Sequence, residues 1–371
     1  MQGMMLYTLL LVTGTVLALR VRPRDTTLPG SRMAAQNRLY LSVLFWLLFL
    51  PAALRVYTGN DYYTYIEHFH DSKLDHYVVT EPGFNLLVKA VYRALGGEYF
   101  LVIFAIFSAL TVFFFLRGIY EQSCDVTLSF FLFMALSLYF QSYNTVRYYF
   151  VLALVFYSLR FVRDREWGKF VLTVLIASLF HKTALVVLLL YPLAAMRWRI
   201  WHCVVLAAGG ISGIVLRTQY MKLFVWLYPS YVNEEEYLAG GGISLINIAR
   251  CLLVVGLFAV IWQFAGKELK EKKASFLYFR MNLLALVMYS CFYYVPFVSR
   301  LGYYLNVSQL LLIPQLVYCL KGKKRMMLYG AVLAAGILYF IVFLYRASDD
   351  LISILPYRTW LTVPDGMTPV F

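Results

Sequence analysis

The chain has 371 residues, of which 62% are hydrophobic and only 14% are charged. Soluble domains are about half apolar and about a quarter charged, so this composition excludes an ordinary soluble domain and indicates an integral membrane protein. The net charge of +14 comes from basic residues in short loops between apolar runs, which is the positive-inside pattern of membrane proteins rather than a nucleic-acid-binding stripe.

Ten apolar stretches approach the roughly 20 residues that a helix needs to cross a bilayer. The first has no basic leading segment and no small-residue cleavage site, and we interpret it as a span rather than a cleaved signal peptide. The sequence therefore predicts an all-α integral membrane protein with about ten transmembrane helices, organised as a single polytopic domain over residues 1–371. The predicted spans are residues 4–19, 39–54, 99–116, 126–141, 146–162, 200–216, 243–265, 276–298, 301–320 and 326–345.

Residues 169–195 form a further apolar stretch that is interrupted at residues 180–182. It is too long for one comfortable span and too short for two. We predict a broken re-entrant hairpin that returns to the cytoplasmic side, because only then do the basic loops share one side of the membrane. With both termini outside, the cytoplasmic side holds roughly two thirds of the 33 Lys and Arg residues but only roughly a third of the 19 Asp and Glu residues. The long outer segments are then residues 55–98, residues 218–242 and the tail 346–371.

Several arginines lie within or at the edges of the predicted spans on the outer side. A charged side chain near the bilayer core costs a few kcal/mol, so such residues mark functional sites. The planar guanidinium group suits phosphate and carboxylate and stays charged when it is desolvated. We therefore predict a site for a phosphorylated or otherwise anionic substrate near the outer surface, although a snorkelling side chain is the alternative at the start of a span. The arginines are Arg55, Arg147, Arg250, Arg300 and Arg346.

The first outer segment combines a turn, a carboxylate and an amphipathic helix. Gly59 allows a turn that a side chain would block, and Asp61 then either caps the following helix, accepts a proton from a substrate hydroxyl, or does both. Residues 82–95 are apolar along one face, which predicts an interface helix that begins at proline. Glu81 precedes this helix, where a carboxylate also favours the helix N-terminus.

The later candidates lie at a helix break and at the junction of two spans. His181 marks the break in the hairpin, where half-helix ends offer free backbone groups to a ligand; a buried structural histidine is the alternative. Arg300 precedes Tyr303 and Tyr304 at a junction of spans, and Arg250 lies about two turns into its own helix. Tyrosine hydroxyls beside arginine suit a diphosphate, because they add hydrogen bonds without another charge to desolvate.

Cysteines and histidines give no sign of a metal site. The five cysteines have no CxxC spacing, which predicts small buried hydrophobic residues rather than disulfides or a zinc site. A cluster at residues 68–76 contains histidines and aspartates, but His68 and His70 would point to nearly opposite faces of a helix. We predict no metal and no cofactor, and no P-loop, GxSxG or HExxH motif occurs.

Five motifs in this order make the sequence resemble the EpsG family of multi-spanning bacterial proteins. The chain departs from the family pattern at Tyr148, where members often have glutamine. The motifs cover most of the chain, and each is specific only in combination with the others. They are Arg55…Gly59-x-Asp61-Tyr62…Tyr65, Glu81-Pro82-x-Phe84, Asn144-x-x-Arg147, Phe180-His181-x-Thr183-Ala184 and Arg300-x-x-Tyr303-Tyr304.

The resemblance implies a GT-C-like polytopic helical bundle in the bacterial cytoplasmic membrane. It implies a glycosyltransferase that polymerises undecaprenyl-diphosphate-linked oligosaccharide repeat units into exopolysaccharide or capsule at the outer face. Its partners would be the lipid-linked oligosaccharide, membrane lipid and other polysaccharide export or chain-length proteins, with no nucleic acid. Asp61 is then our first candidate for the general base and His181 the second. Arginines would stabilise the departing diphosphate in place of a metal; these are Arg55, Arg147 and Arg300 with Tyr303, and additionally Arg250, supported by Gly59, Tyr62, Tyr65, Glu81, Asn144 and Tyr304.

Two other functions remain open at the level of sequence. The first is a related enzyme, either an O-antigen-ligase-like protein or a polyprenyl-phosphate-sugar glycosyltransferase, although no outer segment is the single large loop that a ligase normally carries. The second is a flippase for lipid-linked oligosaccharide. Transporters tend to show repeat symmetry and cations spread through the midplane, whereas the arginines here gather on one side.

Overall fold

The computed structural model describes residues 2–24, 30–73, 81–227, 242–296, 298–349 and 352–361. Over these ranges the chain is helical and forms no sheet, with one isolated antiparallel bridge between Arg55 and Thr359. The all-α prediction is therefore confirmed for the part of the chain that is described. Asp75 and His76, most of the predicted outer segment 218–242 and the end of the predicted tail lie outside these ranges.

The described part of the chain is built from seventeen α-helices and one short 3₁₀ helix. In chain order they are α1 Gln2–Ala18, α2 Arg32–Ala53, α3 Tyr62–Lys73, α4 Pro82–Leu95, α5 Phe100–Gln122, α6 Val126–Ala135, α7 Leu138–Gln141, α8 Val146–Arg163, α9 Trp167–Ser178, the 3₁₀ helix Lys182–Val186, α10 Val187–Ala195, α11 Ile200–Val215, α12 Arg217–Leu227, α13 Leu245–Glu271, α14 Lys273–Cys291, α15 Val298–Asn306, α16 Gln309–Val317 and α17 Gly322–Arg346.

The chain divides into two compact units. The first unit comprises Met1–Phe161, Trp167–Ala184 and Lys321–Phe371, and the second comprises Val162–Glu166 and Leu185–Leu320. The first therefore contains α1 to α7, most of α8, α9 and α17, whereas the second contains α10 to α16. The prediction of one polytopic domain over the whole chain stays a prediction.

Among the described residues, five helices are long and apolar enough to cross a membrane: α2, α5, α13, α14 and α17. α11 and α12, which are bent by 85°, add a sixth if together they form one span. Other predicted spans are shorter or interrupted, because residues 126–141 divide into α6 and α7 and residues 301–320 divide into α15 and α16. The protein is thus a multi-pass membrane protein, whereas the number of ten spans and the GT-C-like arrangement stay predictions.

The distribution of side chains is also that of a membrane protein. Large apolar side chains lie on the surface, among them Ile200 and Val215, which are 81% and 72% exposed. Amides such as Asn282 and Gln309 are fully buried. Contiguous apolar surface of this kind is unfavourable in water and favourable in lipid.

The hairpin is broken where the sequence predicts. α9 ends at Ser178, and the 3₁₀ helix begins at Lys182. Residues 179–181 between them belong to no helix. The return of this segment to its side of origin stays a prediction. The interface helix is also found with its predicted bounds, and it buries Phe84, Val88 and Tyr92 at a spacing of four residues.

None of the five cysteines forms a disulfide in the structure. Cys251 and Cys319 are buried, as predicted. The prediction was wrong for Cys203, which is exposed on α11 beside other outward-facing apolar residues such as Val204. A small apolar residue does not need a protein interior when the surface faces lipid.

One end of the first unit carries a cluster of arginines around a buried carboxylate. The Glu121 side chain is only 1% exposed and forms ion pairs with Arg24, Arg117 and Arg160. These arginines come from the α1–α2 connection and from the ends of α5 and α8, all of which the charge pattern places in the cytoplasm. The predicted topology requires these three segments to lie at one end, as they do. We call these four residues the Glu121 cluster.

Candidate active site

Arg147 stands at the start of α8 and faces other protein groups. Its Nη1 lies 2.8 Å from Oε2 of Glu81, and the two side chains are 15% and 13% exposed. Its guanidinium lies over the rings of Phe84 and Tyr65, at 4.7 and 5.6 Å from their centroids. The backbone N–H of Arg147 donates to the hydroxyl of Tyr65 over 3.3 Å. A side chain held in this way is oriented by the protein rather than by the bilayer interface.

Glu81 joins Arg147 to the break in the hairpin. Its Oε1 accepts the backbone N–H of Lys182 over 3.1 Å, while Oε2 contacts Arg147. Although Glu81 precedes α4, its side chain forms no capping hydrogen bond there. Gly83 completes the junction by donating its N–H to the carbonyl of Leu179 over 2.8 Å, and a Cβ on Gly83 would come within 2.8 Å of that carbonyl oxygen. The carboxylate therefore ties three chain segments together.

His181 lies at the break, beside the same junction. Its Nδ1 is 2.7 Å from the hydroxyl oxygen of Thr183, and its ring meets the edge of Tyr148 at 5.6 Å between centroids. The side chain is half-buried. Tyr148, where the family pattern often has glutamine, is thus an aromatic neighbour of the histidine.

Asp61 is held by its backbone rather than by its carboxylate. Its N–H donates to Oδ1 of Asn144 over 3.1 Å. The turn before it depends on Gly59, whose φ is +102° and where a Cβ would lie 2.6 Å from the carbonyl oxygen of Tyr143. Within the described ranges no group donates a hydrogen bond to the Asp61 carboxylate, so capping of α3 does not account for it. The carboxylate remains available to accept a proton.

Arg55 differs from Arg147 in being fully enclosed. Its guanidinium donates to the carbonyl of Ala52, to the hydroxyl of Ser108 at 3.2 Å and to the carbonyl of Tyr143 at 3.4 Å. No carboxylate pairs with it in the described part of the chain, and burial lowers the pKa of Arg55 below its ordinary value. Because it binds the carbonyl against which Gly59 packs, Arg55 fixes the turn that leads to Asp61.

The described part of the C-terminal tail lies against the same turn, a contact that no sequence pattern predicts. Val56 N–H donates to the carbonyl of Arg358 at 3.0 Å, and Gly59 N–H donates to the carbonyl of Ser353 at 2.9 Å. The buried hydroxyl of Tyr7 donates to the carbonyl of Ile354 at 2.7 Å. The tail therefore holds the turn, and Tyr7 of α1 holds the tail.

The second unit contains its own pair of predicted residues. Arg250 is buried on α13, with its guanidinium 5.7 Å from the ring centroid of Tyr303 on α15. Arg300 lies one turn before Tyr303 on the same helix face. Tyr304 is fully buried, and its carbonyl accepts the hydroxyl of Tyr191 over 2.7 Å. Tyr303 thus contacts a candidate arginine, whereas Tyr304 belongs to the packing.

A buried amide network, absent from the sequence predictions, adjoins Arg250. Nε2 of Gln309 donates to Oδ1 of Asn282 over 2.6 Å, and Nδ2 of Asn306 donates to the hydroxyl of Tyr289 over 3.3 Å. Cys251, next to Arg250, donates its thiol to Oδ1 of Asn306 over 3.3 Å. Polar groups at this depth need such partners, and the network fixes α13, α14 and α15 around the arginine.

The sequence model of the EpsG family matches residues 38–359 of this chain. The chain belongs to the EpsG family. The match includes all five motifs in both units, so the resemblance inferred from them is confirmed. No curated protein and no solved structure matches the chain. Membership indicates a multi-pass membrane protein with a role in polysaccharide synthesis.

In this EpsG-family protein, the first unit brings together most of the predicted site. Direct hydrogen bonds link Asp61 to Asn144, Tyr65 to Arg147, and Glu81 to the chain next to His181. Other predicted residues have different surroundings. Tyr62 stacks on Phe104 at 5.0 Å, and burial raises the pKa of Tyr62 to about 12. Arg346 is half exposed and pairs with Asp349.

In this EpsG-family protein a further histidine, His68, lies beside the candidate site, although its sequence pattern suggested only a metal ligand. His68 is half-buried on α3, one turn after Tyr65, and meets the edge of that ring at 6.5 Å. Its Nδ1 is buried and has no hydrogen-bond partner among the described residues. Burial lowers the pKa of His68, and the positive charge of Arg147 lowers it further. The three-residue spacing from Tyr65 was the signal that could have pointed to it.

The histidines of α3 do not belong to a cluster of metal ligands within the described ranges. His70 faces away from Tyr65 and pairs with Glu98 at 3.0 Å near the surface. No group of three or more His, Cys, Asp or Glu side chains converges in the part of the chain that is described.

Proposed function

We propose that this protein polymerises lipid-diphosphate-linked oligosaccharide repeat units into exopolysaccharide or capsule at the outer face of the bacterial cytoplasmic membrane. The observation that carries the proposal is the oriented, mostly buried Arg147 beside a helix break, in a chain of the EpsG family. Such a cation suits a diphosphate group better than a neutral sugar. The lipid, the oligosaccharide and the side of the membrane follow from the family's character rather than from the geometry.

The proposed reaction is a glycosyl transfer. A hydroxyl oxygen of the acceptor repeat attacks the anomeric carbon of the sugar that is bound to the lipid diphosphate. A new glycosidic C–O bond forms, the bond between the anomeric carbon and the diphosphate oxygen breaks, and the electron pair leaves with the diphosphate. The hydroxyl proton passes to a protein base. The enzyme must therefore stabilise negative charge on the leaving group and hold a proton acceptor near the attacking oxygen.

Arg147 is our candidate for stabilising the leaving group. In the structure its charge is balanced by Glu81, which also receives the Lys182 N–H. A bound diphosphate would supply further oxygens to the guanidinium group of Arg147. Charge-assisted hydrogen bonds to phosphate are stronger than neutral ones and gain most in a water-poor site.

Asp61 remains our first candidate for the base and His181 the second. The Asp61 carboxylate accepts no hydrogen bond in the described part of the chain, whereas Nδ1 of His181 is engaged with Thr183. Arg55 is enclosed by carbonyl groups, so we assign it a positioning role at the turn before Asp61. Arg250, Arg300 and Tyr303 are proposed as additional diphosphate ligands on the basis of sequence and of the Arg250–Tyr303 contact.

The test is polymer formation by purified protein given a lipid-diphosphate-linked repeat unit. Arg147→Ala should abolish polymer while the protein still reaches the membrane, and Arg147→Lys should recover little, because a point charge does not reproduce bidentate contacts. Lys323→Gln, which removes an exposed cation from the start of α17, is the control and should leave polymer formation unchanged.

Cells that express only the Arg147→Ala protein distinguish the alternatives. A polymerase defect should leave single lipid-linked repeats on the outer leaflet. Accumulation on the inner leaflet would instead point to a flippase. Normal polymer with failure of its transfer to a final acceptor would point to a ligase-like enzyme.

A further inference from the structure

A groove opens between α2 and α5, next to the Glu121 cluster of the first unit. It encloses about 250 Å³ and is lined by residues of these two helices alone. Arg38 and Arg117 stand on its wall, and the remaining lining includes Phe45, Phe113 and Leu116. The groove is thus apolar and carries two cations.

The arginines in and beside this groove outnumber the carboxylate groups that pair with them. Arg117 is 48% exposed and pairs with Glu121, but that carboxylate also receives Arg24 and Arg160. Glu121 can neutralise only one of the three. Arg38 is exposed and forms no ion pair or hydrogen bond within the described ranges. A bound anion would therefore interact favourably with Arg38 and Arg117.

The apolar part of the groove faces lipid rather than water. α2 and α5 are both long and apolar enough to span a membrane. Phe113 on the groove wall is 49% exposed, and Leu39 and Trp46 on α2 are 62% and 52% exposed. A free phosphate would use only the arginines and would leave these surfaces uncovered.

We propose that this groove binds an anionic phospholipid of the cytoplasmic leaflet. The phosphate lies between Arg38 and Arg117, with the hydroxyl of Ser42 as a further donor, and an acyl chain covers Phe45 and Phe113. Guanidinium groups bind phosphate through paired hydrogen bonds, and basic pockets between membrane helices on this side favour anionic lipid headgroups. The ion pair with Glu121 holds Arg117 at the groove. The site is distinct from the Arg147 site, since the Glu121 cluster lies at the opposite end of α8.

The experiment is native mass spectrometry of the full-length protein, purified in detergent and titrated with phosphatidylglycerol or phosphatidylcholine. Wild-type protein should retain phosphatidylglycerol preferentially. The variant with Arg38→Gln and Arg117→Gln should bind it at least about tenfold more weakly, as expected when two charge-assisted contacts are lost. The matched control carries Lys321→Gln and Lys323→Gln, which remove the same charge from the start of α17, and it should bind like wild type.

A second variant separates lipid binding from folding, because Arg117 also pairs with Glu121. Ser42→Phe keeps both arginines and fills the groove, and it should lose phosphatidylglycerol as well. Equal retention of the two lipids, equal loss in the lysine control, or unchanged binding by both groove variants would each overturn the proposal. So would displacement of the phosphatidylglycerol by stoichiometric undecaprenyl phosphate, which would make the groove a carrier-lipid site.

Discussion

At the scale of single residues, the two carboxylates of the site have different duties because they have different neighbours. Both oxygens of Glu81 are engaged, one by Arg147 and the other by the Lys182 N–H. Asp61 is fixed through its backbone N–H and leaves its oxygens without a donor in the described part of the chain. A proton acceptor must have a free lone pair near the substrate, so the geometry favours Asp61 as base and Glu81 as a positioning residue.

Asp61→Asn tests this division. Asparagine preserves size and hydrogen-bonding geometry but cannot take the proton, so polymer formation should fall by roughly 10²–10⁴-fold. Binding of the lipid-linked repeat, measured in parallel, should change little. Asp61→Ser tests whether Asp61 acts only as a helix cap, because serine also caps helices well. If both variants polymerise at near wild-type rates, the base is elsewhere, and His181→Gln becomes the next measurement.

His68 predicts a pH dependence of stability. Its pKa is lowered in the folded protein, so the unfolded chain binds a proton more readily. Stability from this group is complete above the ordinary histidine pKa of about 6.5 and is lost as the pH falls toward the lower folded value. The melting temperature of the purified protein should therefore decline between about pH 7 and pH 5, and less so in His68→Gln.

His70→Gln is the matched control for that measurement, since His70 lies on the same helix but pairs with Glu98 near the surface. It should keep the wild-type decline. Identical pH slopes for wild type and His68→Gln would contradict the prediction, because His68 would then contribute nothing to the pH dependence of stability.

The sequence could identify the residue types of the site but not their pairing. Charge at the edge of an apolar run was enough to select Arg147, and an interrupted run was enough to select His181. The contact of Glu81 with both Arg147 and Lys182 joins positions that are 66 and 101 residues apart, and no local pattern encodes it. The sequence suggested His68 only as a metal ligand, because the burial of its Nδ1 atom depends on how α3 packs against other helices.

At the scale of elements, the site lies where non-helical segments meet, and the helices on either side hold these segments in place. α4 and the break after α9 meet through Gly83, where hydrogen bonding brings the two backbones into contact. The sequence correctly predicted the bounds of α4 and the position of the break, since proline, glycine and polar interruptions mark them. It did not predict the tail, because residues 353–360 have no periodicity and their hydrogen bonds are to a distant turn.

Deletion of residues 352–371 tests whether the tail supports the site. Val56 and Gly59 would lose the carbonyl groups that accept their N–H groups, and a buried donor without a partner costs about 1–3 kcal/mol. We expect a lower melting temperature and a loss of polymer formation, because the turn before Asp61 would loosen. Deletion of residues 362–371 alone is the control, since it keeps every one of these hydrogen bonds. Equal stability of the two truncated proteins would refute a supporting role.

At the scale of the whole molecule, polar contacts within each unit show which helix ends lie at the same end of that unit. In the first unit, α8 begins at the Arg147 site and ends at the Glu121 cluster. In the second unit, Arg280 of α14 donates to the carbonyls of Ala194 and Met196 at the end of α10. The end of the hairpin therefore lies beside the first part of α14, as expected if α11 and α13 each cross the membrane once.

We predict that both termini face outward and that the hairpin does not cross the membrane. In a cysteine-free background, single cysteines at Arg165, which precedes the hairpin, and at Arg197 and Lys272, which follow it, should react with a membrane-impermeant maleimide only after the cells are opened. A cysteine at Ser348, just beyond α17, should react in intact cells, because that helix runs from the predicted cytoplasmic side outward. Cation placement sets orientation during insertion, and the lysines at 321, 323 and 324 with Arg325 strongly favour this direction for α17. Labelling of residues 197 and 272 from opposite sides would mean that one of the intervening helices does not span. The common outer face of the arginines, and with it the assignment of Arg250 and Arg300 to the diphosphate, would then have to be withdrawn.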